Sequence, residues 1–425
     1  MAGLLYPAYQ KFYSAIRCLE RFSNETDFFE NIACLDAFFS EYRSITLVLQ
    51  KSLAHTPHID KYNELIEAGC LDQWMNKQRV KTVHIHPVEF FKDIEVSVYF
   101  PSKGFTLLSN TYTAENDIPL STLTESLKTV LQRVDPNEVF FSAKCSFPEK
   151  DTGEDVLEKA IAGIESMLSF MEAMYQSVGE ECALCEQLRK KIRQSKMLYI
   201  PSDFVLVNDY VYYPQTDEFE RSGRAAMVLS VNGKKIASRR PLKSFIESEH
   251  FNYDGTPFGN FVLMHAMLRA IQPGMDIMPA IMVVYADKTY DLDAFHADTK
   301  TTVYRKLNEV AQRIAKEEIV EVYFMTLYAY ISAEGEVPIT SKARVKASTS
   351  DLLAFMKVDC VLNEEEYVFD GKAMEKMEYV ARVMKNGRKN KLELGLLNML
   401  PIIEAFKNKK AQQNTIINEE EYRPN

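Results

Sequence analysis

The sequence predicts an α+β multidomain protein: an all-α helical bundle at the N-terminus, followed by two α+β modules of ββαβ type. Three observations carry that reading. Apolar residues recur at helical spacing up to about residue 86, alternate at strand spacing after Pro87, and later repeat one strand–strand–helix–strand pattern. At 425 residues the chain also exceeds the length at which a single core usually stops growing.

The bundle, residues 1–90, rests on residues 6 to about 86. From Phe28 the apolar positions Phe28, Ile32, Leu35, Phe39, Tyr42 and Leu49 step by three, four or seven and lay one stripe along a long helix. Asn24 and Asp27 resemble a cap and its partner at the start. A break follows at AHTPHID, where Thr56 can cap and Pro57 fits a first helical turn. Tyr62, Leu65, Ile66, Cys70 and Trp74 then form the apolar face of the next helix.

The second unit, 91–196, begins with IEVSVYF and FTLLSNTYT, two alternating runs around PSKG that read as a β-hairpin. A helix over LSTLTESLKTVLQRV, a strand at EVFFSAKCSF and a Met-rich helical run from 153 to about 196 follow. The third unit, 197–410, holds strands at FVLVNDYVYY and AAMVLSVNG and a helix near 258–270. After these come the pair in AIMVVYADKTYDLDAF, a helix over TTVYRKLNEVAQRIAKE, the strand IVEVYFMTLYAYI and a closing helix, KLELGLLNMLPIIEAFKNKK. Residues 411–425 read as a polar, frayed tail. Lys103–Val139 and Lys288–Val322 are similarly spaced around an amphipathic helix, which suggests an internal repeat.

A net charge of −10 argues against nonspecific coating of nucleic acid, which needs a broad basic surface to displace counterions. The N-terminus carries no charged start, apolar stretch and small-residue cleavage site, and no run approaches 18 apolar residues, so a cytoplasmic protein without membrane contact is expected. Seven cysteines form no dense framework, and no disulfides are expected. No Walker loop, GxGxxG after a strand or GxSxG elbow is present, and no cofactor is expected.

The segment QRVKTVHIHP, residues 78–87, places Arg79 ahead of His84 and His86. With 18 arginines and seven histidines in the chain, about one such spacing arises by accident, so context must decide. The context is the end of a helical bundle, after a helix ending in WMNKQR. There the segment resembles the HEPN superfamily of small, often dimeric helical bundles that carry an arginine and a histidine separated by four to six residues. Four residues lie between Arg79 and His84, and Val80 stands where the family usually has a polar residue.

The resemblance covers about one fifth of the chain and implies metal-independent RNA cleavage, in the manner of toxins or anti-phage defence effectors. RNA, with tRNA among the candidates, would be the substrate, and the site would form across a homodimer. Attack by a ribose 2′-hydroxyl on the neighbouring phosphate builds negative charge that a guanidinium can hold bidentately, the role of Arg79. His84 would be the general acid or base. His86 is a second candidate, because the residue before a proline is biased out of the helix. The C-terminal α+β region would sense a regulatory ligand or protein partner.

Other uses of these residues stay open. His55, His58, His84 and His86 fall within 32 positions, but zinc needs three or four converging ligands and no cysteine pair or HExxH accompanies them. Cys182 and Cys185 form a lone CxxC inside the run EECALCEQL, read as continuous helix. The basic end Arg189, Lys190, Lys191, Arg193 and Lys196 can face phosphates, or merely complement the helix dipole; KNGRKNK at 385–391 reads as an exposed turn. The alternative function is a non-catalytic interaction protein whose bundle dimerises and whose C-terminal region binds a ligand or protein.

Overall fold

The computed structural model describes residues 3–23, 26–69, 71–84, 87–101, 103–114, 120–195, 206–223, 230–231, 234–235, 239–247, 254–274, 277–331, 338–386 and 397–421. Four helices open the chain: α1 (Tyr6–Leu19), α2 (Phe28–Leu53), α3 (Ile59–Glu67) and α4 (Gln73–His84). α1 buries Ala8, Tyr9, Phe12, Ala15, Ile16 and Leu19, a single stripe at helical spacing. α2 starts at Asp27, whose carboxylate accepts the N–H groups of Phe29 and Glu30. Asp27 is therefore the cap itself, and Asn24 lies outside the described residues. Thr56 donates its hydroxyl back to the Leu53 carbonyl at 3.0 Å and so closes α2, while α3 begins after His58.

The first sheet contains β1 (Lys92–Tyr99), β2 (Thr106–Ala114), β3 (Val139–Ser146), β4 (Val207–Tyr213) and β5 (Glu218–Arg221), all antiparallel in the order β2-β1-β3-β4-β5. Helix α5 (Leu120–Leu131) joins β2 to β3, and α6 (Val156–Val178) and α7 (Ala183–Arg193) precede β4. The run read as continuous helix breaks at Gly179, which is left-handed at φ 61° as only glycine readily is. Ile94, Val96 and Val98 point to one face with Phe141, Ala143, Tyr210 and Tyr212, and a single core running from Leu5 to Tyr212 joins that face to α1–α7.

A short hairpin, β6 (Ser230–Val231) with β7 (Lys234–Lys235), precedes β8 (Arg240–Pro241), α8 (Leu242–Ile246) and α9 (Pro257–Ile271). The second sheet then takes β9 (Ala280–Tyr285), β10 (Thr289–Ala294), β11 (Ile319–Tyr330), β12 (Ser350–Asp359) and β13 (Glu364–Asp370), in the order β13-β12-β11-β9-β10-β8. Helix α10 (Lys300–Lys316) joins β10 to β11, and α11 (Ser341–Lys346) precedes β12. α12 (Met377–Asn386) and α13 (Leu400–Glu421) end the module. α13 starts with Pro401 in its first turn and runs on past residue 410, where a frayed tail was expected. The two sheets share one topology: β10-β9-β11-β12-β13 repeats β2-β1-β3-β4-β5, with α10 in the place of α5.

The second sheet is covered on both faces. Ile281, Val283, Val322, Phe324 and Met356 meet α10 and α13; Met282, Tyr323, Met325, Leu353 and Phe355 meet Phe258, Phe261 and Ala266 of α9 and Val380 of α12. On α9, His265 is buried with Nδ1 2.9 Å from the Phe261 carbonyl, and Arg269 pairs with Glu375 at 2.6 Å.

α10 also docks on the outer face of the first sheet. Tyr304 packs among Tyr99, Phe140, Val211 and Tyr213. Arg305 donates to Asp209 from Nε at 2.9 Å and from Nη2 at 3.0 Å, and Nη1 donates to Glu309 at 2.8 Å. Thr301 Oγ1 donates to the Tyr210 carbonyl at 2.8 Å, and Asn308 Nδ2 donates to the Gly104 carbonyl at 2.5 Å. Gly104 has φ +73°, and a methyl there would lie 2.8 Å from Tyr304 Cδ1, so this turn position admits only glycine. Glu138, at the start of β3, accepts Arg344 Nη2 of α11 at 2.8 Å.

Removing one partner of the Arg305–Asp209 pair leaves a buried charge. Arg305→Met or Asp209→Leu alone should cost about 3–5 kcal/mol, and the double substitution much less than the sum, read from denaturation midpoints. Burial holds the His265 imidazole down to about 4, against an ordinary 6.5. Below pH 6.5 the unfolded chain therefore takes up the proton first, and stability falls by up to about 3 kcal/mol as pH drops towards 4. His265→Leu should flatten that slope in urea titrations across this range.

Candidate functional site

Positions 79 and 84 both lie on α4. Their side chains lie outside the described set, as do those of 81–83 and the whole of His86. At 3.6 residues per turn, five steps turn the backbone through a full circle and about 140° more. The two positions therefore occupy different sides of a straight helix.

What holds α4 can be built from its first turns. Trp74 packs on Phe39 of α2 with ring centroids 5.8 Å apart. Met75 lies so close to Gly163 of α6 that a methyl on Gly163 would clash with Met75 Cγ, and Tyr42 donates its hydroxyl to the Gly163 carbonyl at 3.0 Å. The polar anchor is Glu149, only 3% exposed. Its Oε2 accepts Trp74 Nε1 at 3.1 Å and Thr152 Oγ1 at 2.9 Å, and its Oε1 accepts Gln78 Nε2 at 2.5 Å. A carboxylate this deeply buried is tolerated because donors converge on it. The loop that presents it is closed by Glu149 N–H on the Glu154 carbonyl at 2.9 Å and by Gly153 N–H on the Glu149 carbonyl at 2.8 Å. Gln78 Oε1 is buried and finds no partner among the described residues.

The arrangement fixes the axis of the helix that carries Arg79, one residue beyond Gln78. It puts position 79 midway along a helix held at its first turns and position 84 at the last residue of that helix, with exposed Val80 between them. Of the other histidines, His55 is exposed and His58 half-buried in the turn between α2 and α3. Among the described residues no group of three His, Cys, Asp or Glu side chains is placed to hold a metal ion.

At the basic end of α7 the two arginines are occupied internally, whereas Lys190 and Lys191 are exposed and Lys196 lies outside the described residues. Arg189 donates to Glu172 through Nε at 3.2 Å, Arg193 reaches the same carboxylate at 2.7 Å, and the Arg189 guanidinium lies 3.6 Å from the centre of the Tyr175 ring. Residues 387–391 of the other basic stretch lie outside the described set. A cavity of about 340 Å³ sits elsewhere, lined by Asp93, Glu95, Lys144, Asp155 and Glu158. It includes none of Trp74, Gln78 or Glu149.

Sequence reasoning missed Glu149. The available signal was a carboxylate in PEKDTGED, a turn-forming stretch directly after a strand, but nothing local marks that carboxylate as buried. No protein family, characterised protein or solved structure matches this chain, and no helix among the described residues is long and apolar enough to cross a membrane.

Glu149→Ala leaves Trp74 Nε1 and Gln78 Nε2 without their acceptor and should cost about 1–3 kcal/mol. Hydrogen exchange should show faster opening of 73–80 than of α1; an unchanged rate in α4 would remove Glu149 as its anchor.

Proposed function

We propose that the chain is a metal-independent endoribonuclease of the kind its Arg79–His84 segment resembles, a toxin-like or anti-phage effector whose tandem α+β modules regulate it. The observation that supports this reading is that both positions lie on the one helix clamped by the buried Glu149 network. Arg79 would hold the scissile phosphate, and His84, with His86 as the second candidate, would move the 2′ or 5′ proton. As the resemblance implies, the site would form across the homodimer with an Arg79–His84 pair from each protomer, so that the dimer is the active unit.

One observation favours a second reading. α1–α4 share a single core with the first sheet, so these helices stabilise the module whether or not they cut RNA. In that reading the protein is a non-catalytic scaffold whose C-terminal module binds a ligand or protein.

The test is incubation with total tRNA and mixed RNA in EDTA, followed by end-group analysis. The nuclease reading expects fragments ending in 2′,3′-cyclic phosphate, their rate falling about 10²–10⁴-fold in Arg79→Ala and in His84→Ala with unchanged melting temperature. Mixing and re-annealing the two variants should restore part of the activity, since a mixed dimer retains one Arg79 and one His84 in the shared site. Loss of folding in both variants, or RNA left intact by the wild-type chain, moves the assignment to the scaffold, and cutting that neither substitution affects removes Arg79 and His84 from it.

A further inference from the structure

Cys182 and Cys185 flank the first turn of α7, and the fold gives them different environments. Beyond Gly179 the chain turns, and Cys182, extended at φ −127° and ψ 107°, becomes the N-cap of α7. Its Sγ accepts the Cys185 N–H at 3.4 Å. The side chains of Glu181, Ala183 and Leu184 around it are exposed. Cys182 therefore lies just beneath the surface at 7% exposure, whereas Cys185 behind it is at 0%. The Cys185 thiol donates to Glu180 Oε1 at 3.8 Å. That carboxylate also receives the N–H groups of Leu4 at 2.7 Å and Leu5 at 3.0 Å, and so anchors the first turn of α1.

We infer that Cys182 and Cys185 form a reversible dithiol–disulfide site that exchanges with small disulfides such as oxidised glutathione, with Cys182 attacking and Cys185 resolving. Exchange needs one thiol that ionises readily near the surface and a second held protonated within reach. The Cys185 backbone N–H, above all, draws the Cys182 thiol below the ordinary thiol range, and the neighbouring Cys185 thiol adds to this. Burial, followed by the hydrogen bond with Cys182, pushes the Cys185 thiol up.

In the first step Cys182 loses its proton to solvent, and its thiolate attacks one sulfur of the small disulfide. The S–S bond breaks, the other sulfur leaves as a thiolate that solvent protonates, and a mixed disulfide remains. In the second step the Cys185 proton passes to Glu180 Oε1 and on to water. Cys185 Sγ then attacks Cys182 Sγ and expels the second small thiol. Two protein thiols supply the two electrons that reduce one disulfide to two thiols. Closing the bond removes the S–H donor from Glu180 and engages the cap sulfur of α7, so oxidation acts on the contact between α7 and the start of α1.

The test equilibrates the full chain in buffers of rising oxidised-to-reduced glutathione ratio, followed by acid quenching, alkylation and peptide mass analysis. Exposed Cys360 serves as the reference thiol. The expected result is loss of two hydrogens from the peptide holding Cys182 and Cys185, reversed by reduced glutathione. Cys185→Ser should trap glutathione on Cys182, several-fold more than Cys182→Ser traps on Cys185. The wild-type chain should also react with iodoacetamide faster at Cys182 than at Cys360 near neutral pH, a measurement that needs no variant. Both thiols staying reduced at ratios that modify Cys360, equal trapping in the two variants, or slower alkylation at Cys182 would each overturn the inference.

Discussion

The architecture depends on one helix having two occupied faces. α10 closes the second sheet with Val303, Leu307, Val310 and Ile314, as an amphipathic crossover helix does. Its other side would ordinarily be solvated. Here it carries Tyr304, Arg305 and Asn308, and the first sheet supplies an aromatic socket, a buried aspartate and a glycine turn to receive them. Burying a side chain the size of Tyr304 contributes about 1.5–3 kcal/mol, whereas a buried ion pair contributes less to stability than to a fixed register. The apolar contacts therefore supply the adhesion, and the Arg305–Asp209 fork sets where the sheets meet.

Each sheet solves the same problem with different cover. Both modules build a five-stranded antiparallel unit around a crossover helix. In the first, α5 packs into the core shared with α1–α4, α6 and α7, leaving the outer face of that sheet for α10. In the second, α9 and α12 cover one face and α10 with α13 the other. The N-terminal helices are thus part of the first module's core. α4 sits within that cover, tied down by Trp74 and Gln78, the residue directly before Arg79.

Much of this was legible because local periodicity reports local structure. The hairpin around PSKG, the pair in AIMVVYADKTYDLDAF and the helix over TTVYRKLNEVAQRIAKE stand as β1–β2, β9–β10 and α10, and the similar spacing of Lys103–Val139 and Lys288–Val322 corresponds to one repeated topology. What was not legible depended on distant partners. β4 and β5 belong to the first sheet although they follow residue 196. β12 and β13 escaped notice, and the break at Gly179 was hidden in a run of good helix formers. The site was less legible than the fold. Spacing pointed to Arg79 and His84, but the buried carboxylate that holds their helix comes from a turn some seventy residues downstream.

The shared helix also imposes an order in time. Sixty residues separate Ser146, the end of β3, from Val207, where its neighbour β4 begins, and a further 86 separate Tyr213 from Lys300 at the start of α10. Synthesis adds roughly 5–20 residues per second. On the ribosome the N-terminal module can therefore complete its sheet, yet its socket for Tyr304 and the carboxylate of Asp209 remain uncovered for several seconds more. During that interval this half of the protein presents an aromatic surface with a charge at its edge, the kind of feature that chaperones and neighbouring nascent chains recognise.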